Sequence, residues 1–158
     1  MNGFKSNQEE IIRFIMQGGD VLVFMPTGSG KSLCYQLPAF LSDGVSLVVS
    51  PLLALIQNQV DYLKKLNIHS NSLNSSTNSA TKKMILKDLE SAEPKIKLLY
   101  VTPELLSTDG FRIIIEKLFR RSRLARLIVD EAHCISEWGH DFRSSYRKLS
   151  WFKNKFPV

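Results

Sequence analysis

Long apolar runs are missing from this sequence, and with them any segment that could span a membrane as a helix. The first residues, Met1-Asn-Gly-Phe-Lys-Ser-Asn-Gln8, lack the apolar core of a secretion signal. Only two cysteines occur, Cys34 and Cys134, a hundred residues apart and outside any metal-ligand spacing. Both sit beside apolar residues, which fits buried, reduced thiols. No cysteine cluster is present to hold zinc, and no internal repeat is visible. What remains is a 158-residue chain with 44% hydrophobic and 23% charged residues, enough for one globular core. Its net charge of +6 is compatible with a polyanionic partner.

The most informative stretch is Val21-Leu-Val-Phe-Met-Pro-Thr-Gly-Ser-Gly-Lys-Ser32. An apolar run enters a glycine-containing turn, and a helical pattern opens directly after it. That order predicts a buried strand over 21–25, a phosphate-cradling loop and a helix from about Lys31 to Leu41. Backbone N–H groups of Gly28, Ser29, Gly30 and Lys31 would converge on one concavity. Lys31 would reach the outer phosphates of ATP, and the Ser32 hydroxyl would hold Mg²⁺. One position departs from the general pattern, which begins with glycine where this chain has Met25.

Further along, strand-like and helix-like segments alternate. Apolar positions 11, 12, 15 and 16 predict a first helix ended by Gly18-Gly19. Buried strands are predicted at 45–50, 96–101 and 124–129, and helices at about 52–66, 80–89, 111–119 and 144–156. The Asn- and Ser-rich section 70–81 reads as a solvated loop holding at most a short strand at Ser72-Leu73. This alternation predicts an α/β fold, a parallel sheet sandwiched by helices. Ligands in such folds gather beyond the carboxyl ends of the strands. Asp130 and Glu131 follow the strand at 124–129, so Asp130 is a second candidate Mg²⁺ ligand and Glu131 a candidate for orienting or deprotonating an attacking water. Two acids capping the next helix is the bland alternative. For the basic run Arg120-Arg121-Ser-Arg123, a solvated face is preferred to a DNA contact.

Thr27-Gly-Ser-Gly-Lys-Ser32 together with Asp130-Glu-Ala-His133 resembles a superfamily-two helicase motor, and the flanking residues resemble the RecQ family of DNA helicases. Met25 through Ala39 matches that family's first motif, in which Met or a similar residue replaces the initial glycine. Val48 through Val60 and Tyr100 through Leu106 resemble the motifs called Ia and Ib. His133-Cys-Ile-Ser-Glu-Trp-Gly-His-Asp-Phe-Arg143 resembles the family's aromatic-rich loop. The short N-terminus and the Thr102-Pro-Glu104 form resemble the fifth-paralogue branch of eukaryotic RecQ proteins.

The resemblance implies a RecA-like nucleotide-binding domain and ATP-dependent 3′-to-5′ DNA unwinding in repair, recombination or replication, nuclear in a eukaryote and cytoplasmic otherwise. ATP and Mg²⁺ are the implied cofactors and single-stranded or forked DNA the implied partner. By position, Phe4, Lys5 and Gln8 fall on the adenine-recognition motif, with Lys5 where arginine is usual. Thr27 through Ser32 would hold the phosphates. Lys31, Asp130, Glu131 and His133 would carry catalysis, with His133 linking the metal site to the aromatic loop. Ser50, Pro51, Thr102, Trp138, Phe142 and Arg143 would contact DNA through backbone phosphates and base stacking. Glu137 and Ser144 replace a common Gln and Pro.

The resemblance ends near Val158, before the family's motif III, and no second motor domain, zinc module or winged helix is present in these residues. The chain is therefore expected to be part of a longer protein, with a sheet edge or apolar surface uncovered. By itself it is expected to bind ATP and DNA with little hydrolysis. Two other readings stay open: an RNA-directed DEAH-type helicase, and a non-enzymatic interaction fragment.

Overall fold

The computed structural model describes residues 3–5, 7–26, 28–132 and 149–158. The chain divides into two compact units, Met1–Asp43 and Gly44–Val158, described separately.

The first unit holds α1 (Gln8–Met16) and α2 (Lys31–Leu41). Glu9 and Glu10 stand in the first turn of α1, where the helix dipole favours acids, and Glu9 pairs with Arg13 one turn on. Pro38 lies inside α2, yet the helix continues to Leu41, one turn further than a proline stop would allow. The expected strand at 21–25 is not formed. Leu22 and Phe24 are 73% and 87% exposed, and no described residue pairs with this run. An apolar run becomes a buried strand only where neighbouring strands complete its hydrogen bonds and its faces are covered. Neither condition is met among the described residues.

The second unit is built on a parallel four-stranded sheet in the order β2-β3-β1-β4. The strands are β1 (Val45–Val49), β2 (Ser70–Leu73), β3 (Leu98–Val101) and β4 (Leu124–Val129). Between them run α3 (Leu53–Lys65), α4 (Ser79–Glu90), the short α5 (Pro103–Leu106) and α6 (Asp109–Arg120). Val45, Leu47, Val49, Leu99 and Val101 project to one face, where they meet Ile85 and Leu89 of α4 and Phe111, Ile115 and Leu118 of α6. Residues 149–155 are helical, and Phe152 and Phe156 complete that core, both 1% exposed. On the β2 side, α3 buries Ile56, Val60 and Leu63. β4 borders no further described strand, and five of its six residues are only half-buried.

Two elements differ from the pattern-based expectation. Residues 70–73 form a full edge strand paired with β3, where only Ser72-Leu73 was expected. In the basic run at the end of α6, Arg121 and Arg123 are structural, whereas Arg120 stays on the solvated face that was expected. The Arg121 guanidinium donates to the carbonyls of Leu89, Glu90 and Ser91 at the end of α4, at 2.6 Å and 2.9 Å for the first two. Arg123 Nε donates to Ala92 O at 3.1 Å, and Arg120 pairs with Glu116. Arginine thus satisfies the carbonyls that a helix C-terminus leaves without partners.

Candidate nucleotide and nucleic-acid site

The glycine turn in the first unit is set by two residues that require positive φ. Gly28 has φ 78° and Gly30 φ 87°, and the Ser29 N–H closes the turn on Pro26 O at 3.2 Å. Gly30 caps α2 without a side-chain hydrogen bond, and the first turn of α2 contains no acid. Lys31 and Ser32 occupy its first two positions, both half-buried. A helix start of this kind presents backbone donors and a positive dipole end, which suit a phosphate. Around Gly28 a Cβ would meet nothing within 4 Å, so the loop mouth is open there. The residues present fit a phosphate group. Thr27 lies outside the described residues.

Gln8 is 3% exposed and serves this turn directly. Its Oε1 accepts from the Lys5 N–H at 2.7 Å, and its Nε2 donates to Gly30 O at 3.0 Å. The amide expected to read adenine therefore holds two backbone groups of its own chain. Phe4 is 49% exposed and Lys5 is also at the surface.

In the second unit, parallel register brings the strand-end residues level. Val49 pairs with Val101 on one side and Val129 on the other, and Leu73 pairs with Val101. The residues that follow, Asn74, Thr102, Ser50 and Asp130, consequently form a row across the carboxyl edge of the sheet. Hydrogen bonds continue the ladders into it: Ser50 N–H donates to Val101 O at 3.0 Å and Asp130 N–H to Val49 O at 2.9 Å. Ser50 is buried, with its Oγ accepting from the Leu52 N–H at 3.5 Å across the half-buried Pro51. Thr102 caps α5 and is half-buried. Asp130 Oδ1 accepts from the Glu131 N–H at 2.9 Å. Glu131 itself has φ 53°, a left-handed conformation that is uncommon for a residue with a side chain and concentrates at functional sites.

The sheet thus assembles Ser50, Thr102, Asp130 and Glu131 at one edge, as their positions after strands predicted. His133, Trp138, Phe142 and Arg143 lie outside the described residues. Asn74 joins the row without having been singled out; the only sequence signal was its place after the short apolar-ended segment Ser70–Leu73. Among the described residues no cluster of His, Cys, Asp and Glu is arranged as a complete metal cage, and no helix is long and apolar enough to cross a membrane. Burial raises the Cys34 thiol above its ordinary pKa, partly opposed by a backbone hydrogen bond, which leaves it a poor nucleophile. Desolvation lowers the half-buried Arg126 guanidinium, which remains a cation at neutral pH.

Similarity to known proteins runs along nearly the whole chain. The sequence profile of the DEAD/DEAH box helicase family matches residues 5–156. The ATP-dependent DNA helicase Q5 of Rattus norvegicus is 50% identical over 94% of this chain and 15% of its own length. The ATP-dependent DNA helicase Q-like 2 of Arabidopsis thaliana is 51% identical over 98% of this chain and 22% of its own. The ATP-dependent DNA helicase RecQ of Haemophilus influenzae is 45% identical, over 98% and 24%. The chain therefore spans less than a quarter of each of these relatives. Identities this close to one another support the RecQ type without selecting a branch within it. Among solved structures, a hypothetical ATP-dependent RNA helicase from Sulfolobus tokodaii superposes with a TM-score of 0.55 over 82% of this chain and 46% of its own. At 18% identity that likeness shows the fold alone.

Proposed function

The chain belongs to the DEAD/DEAH box helicase family, and from that premise we propose that it is the ATP-binding motor segment of an ATP-dependent, 3′-to-5′ DNA helicase of RecQ type. The parent protein acts in DNA repair, recombination or replication, in the nucleus where the organism is eukaryotic. The observation that carries the nucleotide half is the start of α2: two left-handed glycines, an uncapped helix N-terminus and Lys31 at its first position.

In this reading, the N–H groups of Gly28 to Lys31 hold the phosphates, and the Lys31 ammonium neutralises the outer ones. Thr27 completes the loop. Gln8 and Lys5 serve the adenine end, Gln8 exchanging its present backbone partners for the base edge, where an amide donates and accepts at once. Ser32 and Asp130 are assigned to Mg²⁺, which when bound offsets the charge on the transferring phosphoryl group. Glu131 orients the attacking water and takes its proton; its backbone conformation fixes the direction in which its carboxylate leaves the chain. His133 links this chemistry to the aromatic loop. Ser50, Pro51 and Thr102 hold DNA phosphates without reading sequence, while Trp138 and Phe142 stack on bases and Arg143 adds charge. Family members supply an arginine finger from a second motor domain, worth a factor of about 10³–10⁵ in rate. These 158 residues alone are accordingly assigned binding with little or no hydrolysis.

Titration with a fluorescent ATP analogue tests the nucleotide half. Wild type binds, and Lys31→Ala does not. Robust DNA-stimulated ATP turnover by the purified chain would overturn the assignment of low hydrolysis. Unwinding of DNA but not RNA duplexes by the full-length protein separates this reading from an RNA-directed helicase. A purely interacting fragment would instead keep its activity in Lys31→Ala.

A further inference from the structure

Helical spacing places Arg112, Glu116 and Phe119 on one stripe of α6, and each meets the last described segment. The Arg112 guanidinium carbon lies 4.3 Å from the Trp151 ring centroid. Glu116 accepts from Lys155 Nζ at 3.5 Å, and the Phe119 and Phe156 rings are 5.3 Å apart. Lys155 Nζ also stands 5.2 Å from the Trp151 ring, and Phe156 meets that ring edge-on at 5.9 Å. Trp151 is half-buried. Its indole is therefore seated on the aromatic edge of the core and flanked at the surface by two cations attracted to its π-system.

Stacking on Trp151, together with burial of an Nε that has no hydrogen-bond partner among the described residues, holds the Arg112 guanidinium in one orientation. Its ion pair with Asp109 is long, 4.0 Å, and that carboxylate is 98% exposed. A guanidinium held this way can take a second carboxylate on its two terminal nitrogens. The surroundings favour an acid. Residues 109–120 and 149–155 together carry five cations against two carboxylates, Asp109 and Glu116. Ile113, next to Arg112 on the outer side of α6, is 56% exposed and adds an apolar neighbour. Pre-ordered arginine and tryptophan are the residue types on which protein interfaces concentrate their binding energy. A nucleic-acid strand fits less well. Arg112 covers a ring face on which a base would stack, Glu116 would repel phosphate, and the surface lies on the helix layer rather than on the row of strand ends.

We propose that Arg112, Ile113, Trp151 and Lys155 form a docking surface for an acidic peptide segment of a partner protein. A carboxylate of that segment is received by Arg112 and Lys155, and an apolar side chain beside it lies on Ile113 and the exposed part of Trp151. The surface is separate from the residues assigned to nucleotide and DNA, so either assignment can fail without the other.

The test is fluorescence anisotropy with the full 158-residue chain and a short labelled peptide rich in aspartate and glutamate around one leucine. Wild type is expected to bind this peptide and not its counterpart with every acid replaced by the amide. Arg112→Gln is expected to weaken binding about tenfold or more, as loss of an interface anchor does. Ile113→Glu changes an exposed helix position to a good helix former, so the fold is kept while an acid is set against the peptide; a loss of similar size is expected. Lys65→Gln removes the same charge as Arg112→Gln from an exposed site on α3 and should leave the affinity within about twofold. In the wild type, the indole N–H signal of Trp151, assigned with Trp151→Phe, should move on titration with the peptide. No binding by wild type overturns the proposal. So do equal binding of the amide peptide, equal losses in Arg112→Gln and Lys65→Gln, and undiminished binding by Ile113→Glu. Unlabelled oligo-dT should leave the peptide bound; if it displaces the peptide and itself binds more weakly to Arg112→Gln and Ile113→Glu, the surface is a nucleic-acid contact instead.

Discussion

The side-chain amide of Gln8 donates to the carbonyl of Gly30 at 3.0 Å, tying the start of α1 to the turn that opens α2. That contact exists because position 30 has no side chain. A Cβ there would lie 2.4 Å from Gln8 Nε2, and φ is +87°.

Gly30→Ala is therefore predicted to disrupt the turn for two separable reasons. The left-handed conformation costs about 1–2 kcal/mol for a residue with a Cβ, and the Gln8 clash adds to it. Nucleotide-analogue binding should fall by about tenfold or more, with a lower melting temperature. Combining Gly30→Ala with Gln8→Ala should recover the steric part but not the backbone part, giving non-additive stabilities. Strict additivity in the double mutant would show that the two residues do not touch.

Arg121 is predicted to be a stability residue rather than a nucleic-acid contact. Its guanidinium spans the carbonyls of Leu89, Glu90 and Ser91, and its Nε also reaches Lys117 O at 3.1 Å. Hydrogen bonds to charged groups contribute about 1.5–3 kcal/mol, so Arg121→Ala should lower unfolding stability in urea by about that much. Lys should rescue poorly, since an ammonium cannot reproduce the planar fork. Oligo-dT affinity extrapolated to the folded protein should be unchanged.

Phe24 provides a direct measurement of the missing strand. At 87% exposure it has little burial to lose, so Phe24→Ser should change stability by no more than about 0.5 kcal/mol and improve solubility. A loss of several kcal/mol in urea unfolding would mean that residues 21–25 pack as a core strand after all.

Cys34 is 2% exposed, and burial raises its thiol pKa. The folded state thus favours the protonated thiol. Its contribution to stability is present below the ordinary thiol pKa and is lost as pH rises through the raised value. Peptide-resolved alkylation at pH 8 should label Cys34 about tenfold or more slowly than in urea, because the thiolate is the reactive form. Equal rates in both conditions would contradict its burial.

Local pattern alone determined much of this protein. The period of apolar residues marked α3 to within a residue of Leu53–Lys65, and continuous apolar runs marked β1 and β4. The glycine turn, Lys31 at the head of a helix, and Asp130 and Glu131 just past a strand were legible as positions, because turn glycines and the switch between strand-like and helix-like patterns mark where elements begin and end. Tertiary structure decided what depends on distant partners. Residues 21–25 have the composition of a strand, but composition does not supply a neighbour to pair with. Ser70–Leu73 looks like loop and becomes a strand because β3 offers it a ladder. Arg121 looks like solvated charge until the end of α4 arrives with three carbonyls to satisfy. Asn74 enters the row of strand ends only through register. Periodicity is written within a few residues of chain, whereas pairing, capping across elements and strand order depend on groups that only folding brings together.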